Sequence, residues 1–178
     1  MKSNPEPRAT IRALTPGDAM EMMRLRHQAI GEIPTAFGTS PKVELAKGVV
    51  HYHRHLMRIM GRRGEEILGL WNGNRLIGMS GVGRRRHQGV EHALVYSMYV
   101  LPEERNQGHA AELLEACARL AREKWGLATC RLNVETGNER ALRLYVHAGF
   151  RVVNREEDAF RLDGQSHAVY HLERTGSP

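Results

Sequence analysis

Apolar and polar positions change period several times along the chain, and each change marks a candidate element. Residues 9–12 read as a short strand. After Thr15, Pro16, Gly17 and Asp18, the apolar residues Ala19, Met22, Met23, Leu25, Ala29 and Ile30 recur at helical spacing until Pro34 ends the run. A second helix is expected over residues 42–60, carried by Val43, Leu45, Val49 and the apolar positions from 56 to 60, with one internal glycine. Residues 67–71 and 76–82 read as strands joined through Asn72, Gly73 and Asn74, since Asn and Gly tolerate the positive dihedrals of a tight hairpin. A longer strand follows over residues 92–101 and breaks at Pro102.

Beyond Gly108 the period switches. Ala110, Leu113, Leu114, Cys117, Leu120, Ala121 and Trp125 recur at three- and four-residue intervals and predict an amphipathic helix. Residues 127–134 read as a buried strand, and residues 138–148 as a helix ended by Gly149. The Asp163-Gly164 step joins two final strands, over residues 150–162 and 166–172. No linker divides the sequence and no internal repeat is visible. The expectation is an α/β fold: one domain over residues 8–174, with a mixed, largely antiparallel central sheet flanked by helices. Residues 1–7 are expected to form a flexible lead and residues 175–178 a short tail.

Composition narrows the class. With 178 residues, 41% of them hydrophobic, the chain is long enough to bury a substantial core. The N-terminus lacks the apolar segment of a secretory signal and no run is long enough to span a bilayer, so a cytoplasmic protein without a membrane partner is expected. Two cysteines, Cys117 and Cys130, both fall in apolar settings and read as core residues. The net charge of +6 favours acidic ligands without selecting among them. Arg84, Arg85 and Arg86 fit a polar hairpin loop as readily as a nucleic-acid patch, so no dedicated nucleic-acid partner is expected. His51, His53 and His55 do not share one helix face, and no metal site is expected.

The most informative stretch runs from Tyr96 to Ala110. A buried strand enters a turn at Pro102, and Gly108 with the small Ala110 opens a helix. Such a junction aims unpaired backbone amides outward, where they can hold a pyrophosphate, and Arg105 can add a charge-assisted contact. Taken alone, the same junction can be purely structural.

Arg105-x-x-Gly108-x-Ala110 fits a pattern of arginine or glutamine, two residues, glycine, one residue, glycine or alanine. Tyr99-Val100-x-Pro102 precedes it, and Leu113-Leu114 follows. Downstream stands Asn133-Val134-Glu135-Thr136-Gly137-Asn138-x-x-Ala141-x-x-Leu144-Tyr145-x-x-x-Gly149-Phe150. In these two ordered blocks the chain resembles the GCN5-related N-acetyltransferase (GNAT) superfamily. The resemblance implies that acetyl-CoA is the acyl donor. It implies that Met98, Tyr99 and Val100 lie on a splayed strand that offers backbone groups to the pantetheine arm, and that Arg105, Asn106, Gln107, Gly108, His109 and Ala110 wrap the pyrophosphate. Asn138 matches a cofactor-site position, and it also suits a helix N-cap.

The resemblance further places Tyr145 near the sulfur, where a phenol can protonate the departing thiolate; the other reading is a core tyrosine. At the position six residues before Val100, often acidic in active members, stands Leu94. Tyr96 matches another pocket-facing position of the family and can orient water, while Glu91, His92 or Glu32 can approach from a strand end or loop, with Glu91 the candidate base. Glu32 and Phe37 lie in the segment 32–41, which contributes to the acceptor pocket in the resembled family. The expected acceptor is an amine on a small molecule or a protein, and a homodimer is compatible with the fold. A second reading stays open, an acyl-CoA-binding regulatory or interaction module with little turnover.

Overall fold

The computed structural model describes residues 9–176. The expected flexible lead, residues 1–7, lies outside the described residues. Seven strands form one sheet: β1 (Thr10–Ala13), β2 (Glu65–Asn72), β3 (Arg75–His87), β4 (Val90–Val100), β5 (Thr129–Glu135), β6 (Arg151–Leu162) and β7 (Gln165–Thr175). Their spatial order is β1-β2-β3-β4-β5-β7-β6, and every neighbouring pair is antiparallel except β4 with β5. This is the mixed, largely antiparallel sheet that the sequence pattern predicts. β7 reaches Thr175, one residue into the expected tail, and Gly176 is still tied by its N–H to the Ala128 carbonyl.

The hairpins close where turn residues mark them. Gly73 sits at φ 56, and Asp163 and Gly164 sit at φ 49 and 82, the positive values a tight antiparallel turn needs. The arginine run is a correction. Arg84, Arg85 and Arg86 belong to β3 itself, and Gln88 with Gly89 makes the turn into β4.

Five helices cover the sheet: α1 (Ala19–Glu32), α2 (Pro41–Leu45), α3 (Val49–Met60), α4 (His109–Trp125) and α5 (Glu139–His147). α1 and α3 pack on the β2–β3 half of one face, and α4 packs against β2, β3 and β4 on the other. Leu113, Leu114, Cys117 and Ala121 form the buried stripe of α4, as their spacing predicts. The single helix expected over residues 42–60 is instead two. Gly48 is extended (φ −83, ψ 174) and caps α3, because a glycine inside a helix costs about 1 kcal/mol relative to alanine. The break lets α3 turn Tyr52, Leu56 and Ile59 into the core.

That break also brings together a buried ionic knot. Glu44, only 2% exposed, accepts hydrogen bonds from Arg26 Nε at 3.0 Å, Lys47 Nζ at 2.7 Å and the Tyr52 hydroxyl at 2.7 Å. Burial opposes its charge, but the bonds from Lys47 and Tyr52 and the charge of Arg26 prevail and bring its pKa from 4.5 down to about 2. A carboxylate depressed in the folded state stabilises the fold above its unfolded pKa and loses that contribution as the pH falls through the folded value. The difference corresponds to roughly 3 kcal/mol at neutral pH. Denaturant unfolding of Glu44→Gln is expected to show a loss of roughly that size at neutral pH. The gap to the parent protein should close as the pH falls from about 5 towards 2; a gap independent of pH would contradict the assignment.

Candidate active site

The site begins with a separation of two strands. β4 and β5 are paired only at Ala93 with Cys130 and Leu94 with Arg131. On its other edge β4 carries a bulge: Tyr99 pairs with Met79 and Tyr96 with Gly81, so Ser97 and Met98 together oppose Ser80. Ser97 is held at φ 53, a left-handed conformation that costs a non-glycine residue on the order of 1 kcal/mol. Arg26 Nη1 holds it there by donating to Ser97 Oγ at 2.9 Å. Gly81 is required opposite, since a Cβ at that position would lie 2.4 Å from the Tyr96 ring. The outcome is a β4 segment, residues 95–100, whose β5-facing edge has no strand partner.

The turn after β4 is fixed by an ion pair. A 3-10 turn at Pro102–Glu104 leads to Arg105, whose Nε donates to the Val100 carbonyl at 2.8 Å. Its two terminal nitrogens grip both carboxylate oxygens of Glu32, at the end of α1, at 2.7 and 2.8 Å. The Tyr99 hydroxyl donates to the same carboxylate at 2.6 Å. Asn106 (φ 63) and Gly108 (φ 85) then reverse the chain into α4. A Cβ on Gly108 would meet nothing within 4 Å, so the space above this turn is open. The first intrahelical bond of α4 is from Glu112 N–H to the Gly108 carbonyl, which leaves the amides of His109, Ala110 and Ala111 without a helical acceptor.

An open cleft of about 310 Å3 joins the β4 segment, this turn and the start of α5. Met98, Tyr99 and Val100 line it from β4; Arg105, Asn106, Gly108, His109 and Ala110 line it from the turn and α4. Asn138 lines it and caps α5 as expected, its side chain accepting the Ala141 N–H at 3.1 Å. Phe37 lines the same cleft. Gln107 does not; its side chain reaches back to the Glu103 carbonyl at 3.5 Å.

Tyr145 closes the inner end. It is 8% exposed, its ring lies 6.1 Å from that of Phe150, and its hydroxyl makes no hydrogen bond among the described residues. Burial pushes the phenol up to about 12, so it holds its proton throughout the neutral range.

The residues expected to handle the amine proton fare differently. Glu91 stands near the hairpin end of β4 and receives Arg84 Nη2 at 2.6 and 2.8 Å, which holds its carboxyl below the usual range. It does not line the cleft. The Tyr96 hydroxyl donates to Glu65 Oε1 at 2.8 Å, and burial followed by that carboxylate raises its pKa, so it is a poor proton acceptor. Glu32 is committed to Arg105 and Tyr99, which overrides the expectation of a free carboxylate for the acceptor amine. The carboxylate and imidazole in the lining, Glu104 and His109, both stand at the turn. His92, 6% exposed, lies beside Leu94 in a separate groove over β4, β5 and β7, and burial lowers its pKa.

One cation escaped the sequence reading. Arg140, at the start of α5, lines the cleft and bonds only the Asn106 side chain, at 3.5 Å, among the described residues. Its place two residues after Asn138 in the second block was the available signal. Because Arg105 is neutralised by Glu32, Arg140 is the lining cation without a carboxylate partner.

The acetyltransferase (GNAT) family model matches residues 34–150, which include the turn, α4, β5 and α5. The chain belongs to the GNAT acetyltransferase family. Solved structures share its fold at low identity. The ribosomal-protein-alanine N-acetyltransferase of Brucella melitensis is 21% identical with a TM-score of 0.78, covering 93% of this chain and 99% of its own. The spermidine N-acetyltransferase of Vibrio cholerae, solved with CoA and spermine, is 18% identical with a TM-score of 0.78, covering 94% and 95%. A putative acetyltransferase from Salmonella typhimurium, solved with acetyl-CoA, is 17% identical with a TM-score of 0.78, covering 97% and 96%. No curated protein matches the chain.

Acetyl-CoA, the donor used by this GNAT family, fits the residues present: unpaired amides and an open glycine turn for the pyrophosphate, and a free strand edge for the amide-bearing arm. Calorimetric titration with CoA is expected to show a loss of about tenfold or more in Gly108→Val, whose side chain would occupy the open space at a strained φ. Arg140→Gln should lose about tenfold while reducing the salt dependence of binding. Unchanged affinity in the folded variants would remove both residues from the phosphate site.

Proposed function

We propose that the chain acetylates an amine by direct attack in a ternary complex, with Tyr145 as the acid that protonates the leaving thiolate. The observation that carries this reading is the convergence of the free β4 edge, the α4 turn and the unpaired Tyr145 hydroxyl on one cleft. When bound, acetyl-CoA supplies the thioester. The β4 edge orients that group with backbone N–H and C=O donors and acceptors, and Phe37 with Tyr145 closes apolar walls around it. The amine nitrogen forms the new C–N bond, the C–S bond breaks, the Tyr145 proton goes to sulfur, and the phenolate regains a proton from the water that takes up the amine's.

The amine must lose a proton as well. The lining carboxylate, Glu104, stands at the turn and not at the Leu94 position, so water carries that proton and the rate depends on holding amine and carbonyl in attack geometry. The buried thiols of Cys117 and Cys130 are both raised in pKa by burial, Cys117 to about 12, which argues against a covalent acyl-enzyme. A cytoplasmic setting belongs to the same reading: both cysteines are free, and no described helix is long and apolar enough to cross a membrane.

Mass-spectrometric product detection with acetyl-CoA and a diverse amine panel tests the reaction, and thiol release tests the acid. Tyr145→Phe is expected to keep CoA affinity and lose kcat by about a hundredfold. CoA binding without a product on any amine would favour the regulatory module, and an unchanged kcat in the variant would remove the acid role.

A further inference from the structure

A second cavity, of about 300 Å3, lies between α1, α2, α3 and the bulged part of β4. Its floor includes Ser97, the residue before Met98 of the donor cleft, and Arg26 spans the two spaces. That guanidinium donates to Ser97 Oγ and stands 4.9 Å above the Phe37 ring, which lines the donor cleft. The cavity therefore abuts the segment of β4 where the acyl group is to be presented.

Its charge is one-sided. Arg26, Lys47 and Arg58 line it against one carboxylate, Glu44, an excess of two positive charges before the histidines are counted. Glu44 is already saturated by Arg26, Lys47 and Tyr52. Arg58 has no carboxylate partner among the described residues; it donates to His55 Nδ1 at 2.8 Å, which requires that ring nitrogen to be unprotonated. Arg58 thus brings a positive charge without a carboxylate partner among the described residues to a partly enclosed basic cavity, a setting that favours an anion.

We propose that this cavity holds an anionic group of the acceptor, so that the substrate is a small amine that also carries a carboxylate or a phosphate. The inference rests on the acetyl-transfer reading above, and deepens it. The cavity volume suits one small polar group rather than a folded partner, and the excess charge would repel a polyamine. Arg58 is exposed, so replacing it leaves the core and the donor cleft untouched.

The test pairs amines that differ in one group: an amino acid against its neutral amide, and a phosphorylated amino alcohol against the unphosphorylated form. Calorimetric binding to the CoA-saturated protein is measured alongside turnover. The parent protein is expected to prefer the anionic member of at least one pair by about tenfold or more. Arg58→Glu should abolish that preference through KM and Kd while leaving CoA affinity unchanged; which pair responds identifies carboxylate or phosphate. Equal binding of both members in each pair, a preference for cationic polyamines, or selectivity that survives in Arg58→Glu would overturn the proposal. Arg58-dependent binding without acetylation would uphold the anion site and count against the transfer reaction instead.

Discussion

The separation of β4 from β5 after Leu94 governs everything that the molecule can do with a ligand. A parallel pair ordinarily continues its hydrogen bonds along the strands, and here it stops after two residue pairs. The cause lies on the opposite edge, where the extra residue at Ser97 bends β4 and rotates its outer half away from β5. The bend is strained, and the surrounding structure holds it: Arg26 fixes the Ser97 side chain, and Gly81 makes room for the Tyr96 ring. A strand edge left unpaired inside a domain is normally a liability. Here it offers an extended, amide-bearing chain a place to add to the sheet beside the α4 turn.

Around this opening the charged residues divide into those that build and those that remain available. Arg105 looks from its motif like a phosphate ligand, yet its three donors go to Val100 and Glu32, so it clamps the turn to β4 and to the end of α1. Glu32 looks like an amine ligand and is the other half of the same clamp. Arg140 and Arg58 retain their charge for solvent or ligand, one in the donor cleft and the other in the cavity across β4. In the proposed reaction, acetyl transfer depends on placement more than on a strong base, since Glu91 is held by Arg84 and Leu94 offers no proton acceptor.

Much of this was legible in the sequence because it is written in local residue chemistry. The Asn-Gly and Asp-Gly turns, the stripe of α4, the Asn138 cap and the glycine turn of the donor cleft each depend on a few neighbouring residues. What was hidden depends on distant ones. Nothing about a serine marks it for a left-handed bulge; the neighbours that force it come from α1 and β3. The Arg105–Glu32 clamp joins residues far apart in the chain, so a motif arginine and a loop glutamate were each read as free. Gly48 was read as tolerated within one long helix, whereas the buried knot at Glu44 and the apolar face of α3 require the turn it provides. Glu91 reads from the sequence as able to approach from a strand end, and the register of β3 with β4 puts that end at the hairpin, where Arg84 holds it.

In the proposed reaction the donor completes the free edge of β4 and caps the start of α4. Amide hydrogen exchange with and without CoA tests it residue by residue. CoA is expected to slow exchange at residues 95–100 of β4 and at His109, Ala110 and Ala111, with little change along the paired β6–β7 hairpin. Protection confined to the cavity between α1, α2 and α3, with the β4 edge and the α4 amides unaffected, would contradict it.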